Sequence, residues 1–307
     1  MSPSRAAAPS GMRASAGALA VRRRAFERYF QRVLPPASQT PSRLHAAMRY
    51  GALSPGKRLR PLLVLTACEA VGGRWTTALP AAAAVECIHA YSLIHDDLPA
   101  MDDDDFRRGR PTTHRKFGEA VAILAGDALL ALAFRELSRA AERRVSDARV
   151  IEAVRILAGA SGSQYLVGGQ AMDLEAEGRA VKLERVTEIH LRKTGGLISA
   201  SLKLGGLIGG ANRAALRRFD KLGHDLGFAF QVQDDLLNRT SSLRKLGKRS
   251  QTDAKRGKAT VPAVAGEVAA RLLLDALFTN AIEDAQLFGR HGRNLERLIQ
   301  VVAARDH

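Results

Sequence analysis

The chain has 307 residues and a formal net charge of +16, with 46% apolar, 25% charged and only 5% aromatic residues. Ala, Leu and Val dominate the apolar set, and this balance favours helices over sheets. Two cysteines, Cys68 and Cys87, exclude a disulfide framework, and the longest apolar run, residues 120–134, is shorter than the ~20 residues of a membrane helix and contains Asp127. We therefore expect a cytoplasmic protein without stable membrane insertion.

The first 20 residues are rich in Arg, Ser and Ala and contain no acidic residue. This composition resembles a transit peptide, but it also fits a disordered tail, which is the interpretation we favour. From residue 21 onward, helical periodicity predicts helices over about 21–34, 41–52, 59–71, 78–98, 118–143, 147–170, 183–208, 212–238 and 260–285. No linker divides the chain internally, so we predict a single all-α domain over residues 21–307.

The basic excess allows three kinds of partner: nucleic acid, an anionic membrane surface or a small anionic substrate. A nucleic-acid binder usually adds a known module or aromatic residues that stack on bases. This chain has one Trp, and its basic clusters contain no aromatic ladder. We expect no nucleic-acid partner.

Six aspartates lie within residues 96–105, at the end of the predicted helix over 78–98. That helix is apolar almost all round, carries Glu86, His89 and Asp96 on one face, and is ended or kinked by Pro99. Carboxylates at a helix C-terminus lie at the negative end of the dipole, so the cluster indicates a bound cation, with a solvated acidic loop as the alternative. Oxygen ligands without His or Cys indicate Mg²⁺ that shares its coordination with phosphates.

A second carboxylate site is predicted on the helix over 212–238. Gln231, Asp234, Asp235 and Asn238 follow the spacing i, i+3, i+4, i+7, which forms one polar stripe on an otherwise apolar helix. Buried unpaired carboxylates are costly, so this stripe also favours a bound cation.

Basic side chains recur near both motifs. They are Arg107 and Arg108, then Lys57, Arg58 and Arg60 at a predicted helix start, Lys193 before Thr194, and eight Lys or Arg within residues 239–258. Arg and Lys around carboxylates that hold Mg²⁺ indicate a diphosphate site.

Five motifs in a fixed order carry a resemblance to a known family. They read GKRLRP, ECIHAYSLIHDDLPAMDDDDFRRGRPTTHRKFGEAVAILAGDALL, GGQAMDLEAEG, KTGGLI and FQVQDDLL, the last followed by LGK, which ends at Lys248, and GK, which ends at Lys258. Over residues 40–265 the chain resembles the trans-polyprenyl diphosphate synthases, and among them the bacterial farnesyl diphosphate synthases. The resemblance implies an isoprenoid-synthase-type helical bundle around a deep central cavity, and a homodimer.

The resemblance also implies roles for particular residues. Three Mg²⁺ ions at Asp96, Asp102 and Asp234 would hold the diphosphate of an allylic substrate, supported by Arg107, Lys193, Lys248 and Lys258. The diphosphate of isopentenyl diphosphate would lie against Lys57, Arg60, His89 and Arg108. Thr194, Gln231 and the Lys193 backbone would steady the allylic cation, so that no protein nucleophile is needed.

The expected reaction is head-to-tail condensation of isopentenyl diphosphate with dimethylallyl or geranyl diphosphate. Tyr91 lies five residues before Asp96 with Ser92 beside it, and two residues near Pro99 are inserted in the motif. Both features resemble the pattern for a C15 product, farnesyl diphosphate. The first alternative is a C20 geranylgeranyl diphosphate synthase of a specialised terpenoid pathway, and the second is a synthase with a C10 product.

The second motif departs from the family pattern because Asn238 stands where DDxxD has its last aspartate. A neutral amide adds no charge, so we predict weaker Mg²⁺ affinity or slower ionisation of the substrate. The same substitution leaves open a non-catalytic subunit of a heteromeric synthase, although such subunits typically lose the first motif, which is intact here. A class I terpene cyclase would need Ser or Thr at position 238 and Glu at 242, where this chain has Asn238 and Ser242.

Overall fold

The computed structural model describes the backbone of residues 10–244 and 260–304 and the side chains of residues 17–238 and 260–304. Within these ranges the chain is built almost entirely of helices, which confirms the predicted all-α class. The α-helices are α1 Ser10–Val33, α2 Ser42–Ala52, α3 Leu59–Ala70, α4 Leu79–Asp96, α5 Thr113–Phe117, α6 Glu119–Ser138, α7 Asp147–Ser161, α8 Leu166–Ala176, α9 Leu183–His190, α10 Gly196–Gly209, α11 Arg213–Arg244, α12 Val261–Ala265, α13 Glu267–Gln286 and α14 Arg293–Ala303.

Short elements join some of these helices. Trp75–Ala78, Ala141–Arg143 and Gly289–Gly292 form 3₁₀ turns, and Leu191–Gly195 forms a π-turn between α9 and α10. A two-residue strand β1, Phe106–Arg107, pairs with β2, Arg110–Pro111, in an antiparallel hairpin that the sequence did not predict.

Helix α4 lies in the core, as its uniformly apolar sequence predicts, and packs mainly on α6 and α3. Among the described residues, one helical stretch, Trp75–Asp96, is long and apolar enough to cross a membrane. It is a stronger candidate than the run over 120–134 that we picked from the sequence. However, 78% of its apolar window is buried inside the protein, as in a core helix.

Helices α3 and α10 pack in parallel with their backbones in close approach. A Cβ at Gly205 would overlap with the carbonyl of Val64, and a Cβ at Gly209 would lie 2.6 Å from that of Cys68. Only glycine permits this approach. The N-terminal ends of the two helices therefore share one end of the bundle.

The hydrophobic core has two main clusters. One joins α1, α2, α4, α6 and α7 around side chains such as Phe26 and Ile88. The other joins α3, α11, α13 and α14 around Phe219, Leu226 and Ile299. Helix α11 packs against both α10 and α13, and so carries the second aspartate motif into the interior of the bundle.

The N-terminal segment differs from the expected disordered tail. Helix α1 begins at Ser10, and Leu19 is buried against the second core cluster. The physical reason is that Ala18, Leu19 and Ala20 are good helix formers, and Leu19 finds an apolar core to join. Residues 1–9 lie outside the described part of the chain.

Several helices also differ from prediction, and the one expected over 260–285 is divided at Gly266 into α12 and α13. The helix expected over 147–170 is split, since α7 ends at Ser161 and α8 begins at Leu166 after an extended Gly162. Helix α14 was not predicted, although Leu295, Leu298, Ile299 and Val302 are buried at helical spacing.

Candidate active site

The first aspartate motif lies where α4 ends. The helix ends at Asp96, three residues before Pro99, which has no amide hydrogen to continue it. The loop then turns back, and the amide of Asp102 donates to the carbonyl oxygen of Asp96 over 2.7 Å. Both side chains are half-buried. The structure therefore brings together the two predicted metal ligands of this motif.

The β1–β2 hairpin directs Arg107 at this loop. Its two turn residues, Arg108 and Gly109, have positive φ angles of 53° and 77°, the combination that a tight two-residue hairpin needs. Nε of Arg107 donates to Oδ1 of the buried Asp97 over 2.6 Å. Burial raises the pKa of Asp97 to about 6, while the guanidinium of Arg107 acts in the opposite direction. Arg107 is thus held in place beside the motif.

A second group of cations lies between α3 and α4. Nη1 of Arg60 lies 3.4 Å from Nε2 of His89. Burial lowers the pKa of His89 well below its usual range, and the charges of Arg60 and Arg108 lower it further. Burial also lowers the pKa of Arg60, against the attraction of Glu86 and Asp234. A neutral His89 among crowded guanidinium groups is a setting that an anionic ligand would stabilise.

Arg58 has a structural role. Its Nη1 forms an ion pair with Oε1 of Glu86 at 2.5 Å, and the two side chains are 9% and 6% exposed. Its guanidinium also donates to the carbonyls of Ala52 and Ser54, and its φ of 51° is left-handed. Lys57, next in the chain, is exposed. The ion pair therefore fixes the loop that presents Lys57 just before α3.

The π-turn places Lys193 and Thr194. Single π-turns inside helices are rare and occur often at functional sites. Nζ of Lys193 contacts Oδ2 of Asp173 at 2.6 Å, and Oγ1 of Thr194 donates to Oε1 of Gln231 over 3.1 Å. A Cβ at Gly169 would overlap with the backbone of Lys193, so α8 approaches the turn closely. The π-turn therefore brings Lys193 and Thr194 close to Gln231.

The two adjacent aspartates of α11 have different surroundings. Asp234 is half-buried, and its charge acts on Arg60 across the site. Asp235 is buried and accepts hydrogen bonds from the amide of Val261 and from Nε2 of His190, each at 3.1 Å. Asn238 is exposed. The predicted phosphate ligands Lys248 and Lys258 lie outside the described residues.

Tyr91 and Ser92 lie one turn before the first motif. Tyr91 is buried and contacts the ring of His95 edge to face, with the ring centres 5.8 Å apart. Burial, and then the charge of Asp96, raise the pKa of Tyr91 to about 12. The hydroxyl of Ser92 donates to the carbonyl of His89 within the same helix. Tyr91 is thus a bulky, neutral side chain near the predicted metal ligands.

The donor set fits magnesium in its chemistry. The candidate ligands Asp96, Asp102 and Asp234 offer carboxylate oxygens, which Mg²⁺ prefers. Within the described part of the chain, no group of three or more His, Cys, Asp or Glu side chains is arranged to hold a metal by itself. Such a donor set suits an ion that completes its shell with water and substrate phosphate.

The sequence analysis assigned no role to some residues of this site. Asp97, Glu86 and Asp173 each bind a basic residue of the site from another element. The side-chain amide of Gln170, one turn before Asp173, is buried without a hydrogen-bond partner among the described residues. Gln170 and Asp173 belong to the GGQAMDLEAEG motif, so their position was visible in the sequence although their contacts were not.

Comparison with known proteins decides the family. Residues 41–285 match the sequence model of the polyprenyl synthetase family. This chain belongs to that family. It is 55% identical over 225 residues to farnesyl diphosphate synthase of Escherichia coli (strain K12), covering 73% of this chain and 75% of the relative. It is 45% identical over 271 residues to geranylgeranyl pyrophosphate synthase 4 of Arabidopsis thaliana, covering 87% and 72%.

Solved structures of this family share the fold. An FPP/GFPP synthase from Zymomonas mobilis is 37% identical, with a TM-score of 0.84 and coverage of 95% of this chain and 100% of that one. A geranyltransferase from Helicobacter pylori, complexed with magnesium and isoprenyl diphosphate, is 29% identical, with a TM-score of 0.81 and coverage of 98% of each chain. This polyprenyl synthetase is therefore a prenyltransferase, a short-chain prenyl diphosphate synthase, as its motifs predict.

Proposed function

We propose that the chain is a Mg²⁺-dependent farnesyl diphosphate synthase. It would join isopentenyl diphosphate head to tail with dimethylallyl diphosphate and then with geranyl diphosphate. The observation that carries the proposal is the loop in which Asp96 and Asp102 meet with Arg107 beside them, in a chain 55% identical to a bacterial farnesyl diphosphate synthase.

Three Mg²⁺ ions are proposed at Asp96, Asp102 and Asp234, together with the diphosphate of the allylic substrate. When bound, they would offset negative charge on the diphosphate oxygens. The magnesium and isoprenyl diphosphate in the Helicobacter pylori geranyltransferase structure support this. Arg107 and Lys193 are held by Asp97 and Asp173, and we assign both to the allylic diphosphate, with Lys248 and Lys258 on the basis of their motifs.

The chemical step follows from these charges. The allylic C–O bond breaks with its electron pair on the departing pyrophosphate, whose charge Arg107 and Lys193 stabilise. The oxygens of Thr194 and Gln231 lie at the π-turn, and we assign them to the developing allylic cation. The isopentenyl double bond then forms the new C–C bond, and the proton lost from that unit passes to the released pyrophosphate.

Isopentenyl diphosphate is assigned to the cation group formed by Lys57, Arg60, His89 and Arg108. The crowded guanidinium groups and the lowered pKa of His89 support this, because an added anion would relieve their mutual repulsion. Neutral His89 can still donate one hydrogen bond to a phosphate oxygen.

Product length is assigned to Tyr91, with Ser92 beside it. A buried ring close to Asp96 supports a cavity that stops at C15. The second candidate is geranylgeranyl diphosphate synthase, which the 45% identity to an Arabidopsis thaliana geranylgeranyl pyrophosphate synthase favours.

A homodimer in the cytoplasm is also proposed. The apolar side chains of Ile123 and Leu124 on α6 are 44% and 55% exposed, and a second copy could cover them. Leu124→Glu should convert the dimer to a monomer in light scattering, whereas an unchanged mass would argue against this face. Cell fractionation tests the location.

Product analysis tests the proposed function. Purified protein, Mg²⁺ and labelled isopentenyl diphosphate are combined separately with dimethylallyl, geranyl or farnesyl diphosphate, and the dephosphorylated products are sized. Products that stop at C15 support the proposal. A C20 product would establish the second candidate, and absence of elongation from every primer would point to a non-catalytic subunit.

A further inference from the structure

Asp235 stands beside the proposed metal ligand Asp234, yet both of its carboxylate oxygens are engaged by protein donors. Oδ2 accepts from the amide of Val261 and from Nε2 of His190, each at 3.1 Å. Oδ1 accepts from Nε2 of Gln231 at 3.3 Å. The side chain is only 5% exposed. Coordination of a metal would therefore require breaking bonds that already satisfy this carboxylate.

These contacts set the orientation of the Gln231 amide. A carboxylate only accepts hydrogen bonds, so the NH₂ group of Gln231 faces Asp235. Its oxygen, Oε1, then lies on the other side, where it accepts from Oγ1 of Thr194 at 3.1 Å. The chain of bonds runs from α12 through α11 to the π-turn: Val261 and Gln231 both donate to Asp235, and Thr194 donates to Gln231.

We propose that Asp235 is a positioning residue for the chemical step. It fixes the oxygen of Gln231, and through it the hydroxyl of Thr194, where positive charge develops on the allylic unit. This inference rests on the roles proposed above for Gln231 and Thr194. Oxygen lone pairs stabilise a nearby cation, whereas an amide NH₂ in the same place would oppose it.

The geometry predicts a specific defect for Asp235→Asn. The amide of Val261 can only donate, so it keeps the new side-chain oxygen on its side and places the new NH₂ towards Gln231. Gln231 must then turn its oxygen to that NH₂ and its own NH₂ towards Thr194. We expect kcat to fall about 100-fold, the scale of a 1 Å misplacement, while the KM of both substrates changes less than about twofold.

A compensating variant tests this orientation. In Asp235→Asn with Gln231→Glu, the carboxylate at position 231 can accept from the new NH₂ and from Thr194 together. We expect this double variant to recover at least about tenfold in kcat over Asp235→Asn alone. Gln231→Met removes the amide without altering Asp235 and should lower kcat with KM unchanged. Asp225→Asn, on the same helix and paired with the exposed Lys221, is the matched control.

Initial rates for all variants are measured against each substrate and against Mg²⁺, beside melting temperatures. A low kcat for Asp235→Asn at unchanged KM, with rescue by the double variant, supports the proposal. Normal kcat in Asp235→Asn, absence of rescue in a folded double variant, or a defect that excess Mg²⁺ removes would each overturn it. If Asp235→Asn does not fold, normal kcat in Gln231→Met would overturn it instead. An inactive unmodified protein would count against the proposed function.

Discussion

Replacing Glu86 by Gln should destabilise the protein strongly, because it leaves the charge of Arg58 buried without its partner. The two side chains are 6% and 9% exposed, and the atoms Oε1 and Nη1 lie 2.5 Å apart. Removing one partner of a buried ion pair costs about 3–5 kcal/mol. The carbonyls of Ala52 and Ser54 still accept from Arg58, but they carry no full charge.

The expected change in melting temperature follows from the size of the chain. The entropy of unfolding is about 2.1 cal/mol/K per residue, so for a chain of 307 residues about 1 kcal/mol lowers the melting temperature by roughly 1.5 °C. Glu86→Gln should therefore melt about 5–8 °C below the unmodified protein. Calorimetry at fixed protein concentration measures this, since the stability of an oligomer depends on concentration.

The matched control is Glu152→Gln, which breaks an exposed ion pair. Glu152 and Arg155 are 47% and 74% exposed, with the charged atoms 3.3 Å apart. Exposed pairs contribute about 0–1 kcal/mol, so this variant should melt within about 1.5 °C of the unmodified protein. If Glu86→Gln shifts the melting temperature no more than the control does, the argument from buried charge is refuted.

Three further predictions concern the proposed reaction. Tyr91→Ala should move the main product from C15 to C20, because it removes the buried ring proposed to limit chain length; an unchanged product in chromatography would contradict this. Asn238→Asp should lower the Mg²⁺ concentration for half-maximal rate, or raise turnover, about threefold to tenfold, because it adds a charge near the second motif; unchanged Mg²⁺ titration and turnover would exclude it. His89→Asn should raise the KM for isopentenyl diphosphate about tenfold. In the unmodified protein the pKa of His89 is lowered in the folded state, so below about pH 6.5 the unfolded state binds more protons and stability falls with pH. His89→Asn removes this proton uptake, so the variant should lose less stability between pH 7 and 5. Melting at pH 7, 6 and 5 checks the slope, which should persist if His89 does not contribute.

Local pattern was enough to predict most of the fold. The apolar sequence of α4 predicts its burial, and Pro99 predicts its end near Asp96. The split after Ser161 has a local signal, Gly162, that the prediction from helical periodicity missed, whereas the π-turn at Lys193 depends on neighbours that are distant in sequence. A close contact such as that between Gly169 and the backbone of Lys193 exists only after α8 has packed on the turn.

In the candidate site, too, local pattern predicts some features and tertiary packing decides the others. The sequence identifies Asp234 and Asp235 as a pair, and their helical positions differ by only one residue. Their different surroundings depend on His190 and Val261, which tertiary packing alone brings to Asp235. Likewise, Glu86 shares a helix face with His89, but the sequence does not show that Arg58 binds it.

The glycine-mediated packing of α3 on α10 has a consequence for protein engineering. Arg60 lies in the first turn of α3, and Lys193 comes just before α10; both are proposed to hold a diphosphate. The close backbone approach of α3 and α10 joins the two helices into one stiff unit. Tyr91 belongs to α4, outside that unit. A change of product length at Tyr91 therefore leaves these close backbone contacts intact, whereas a side chain introduced at Gly205 or Gly209 should disturb recognition of every substrate at once, whatever its length.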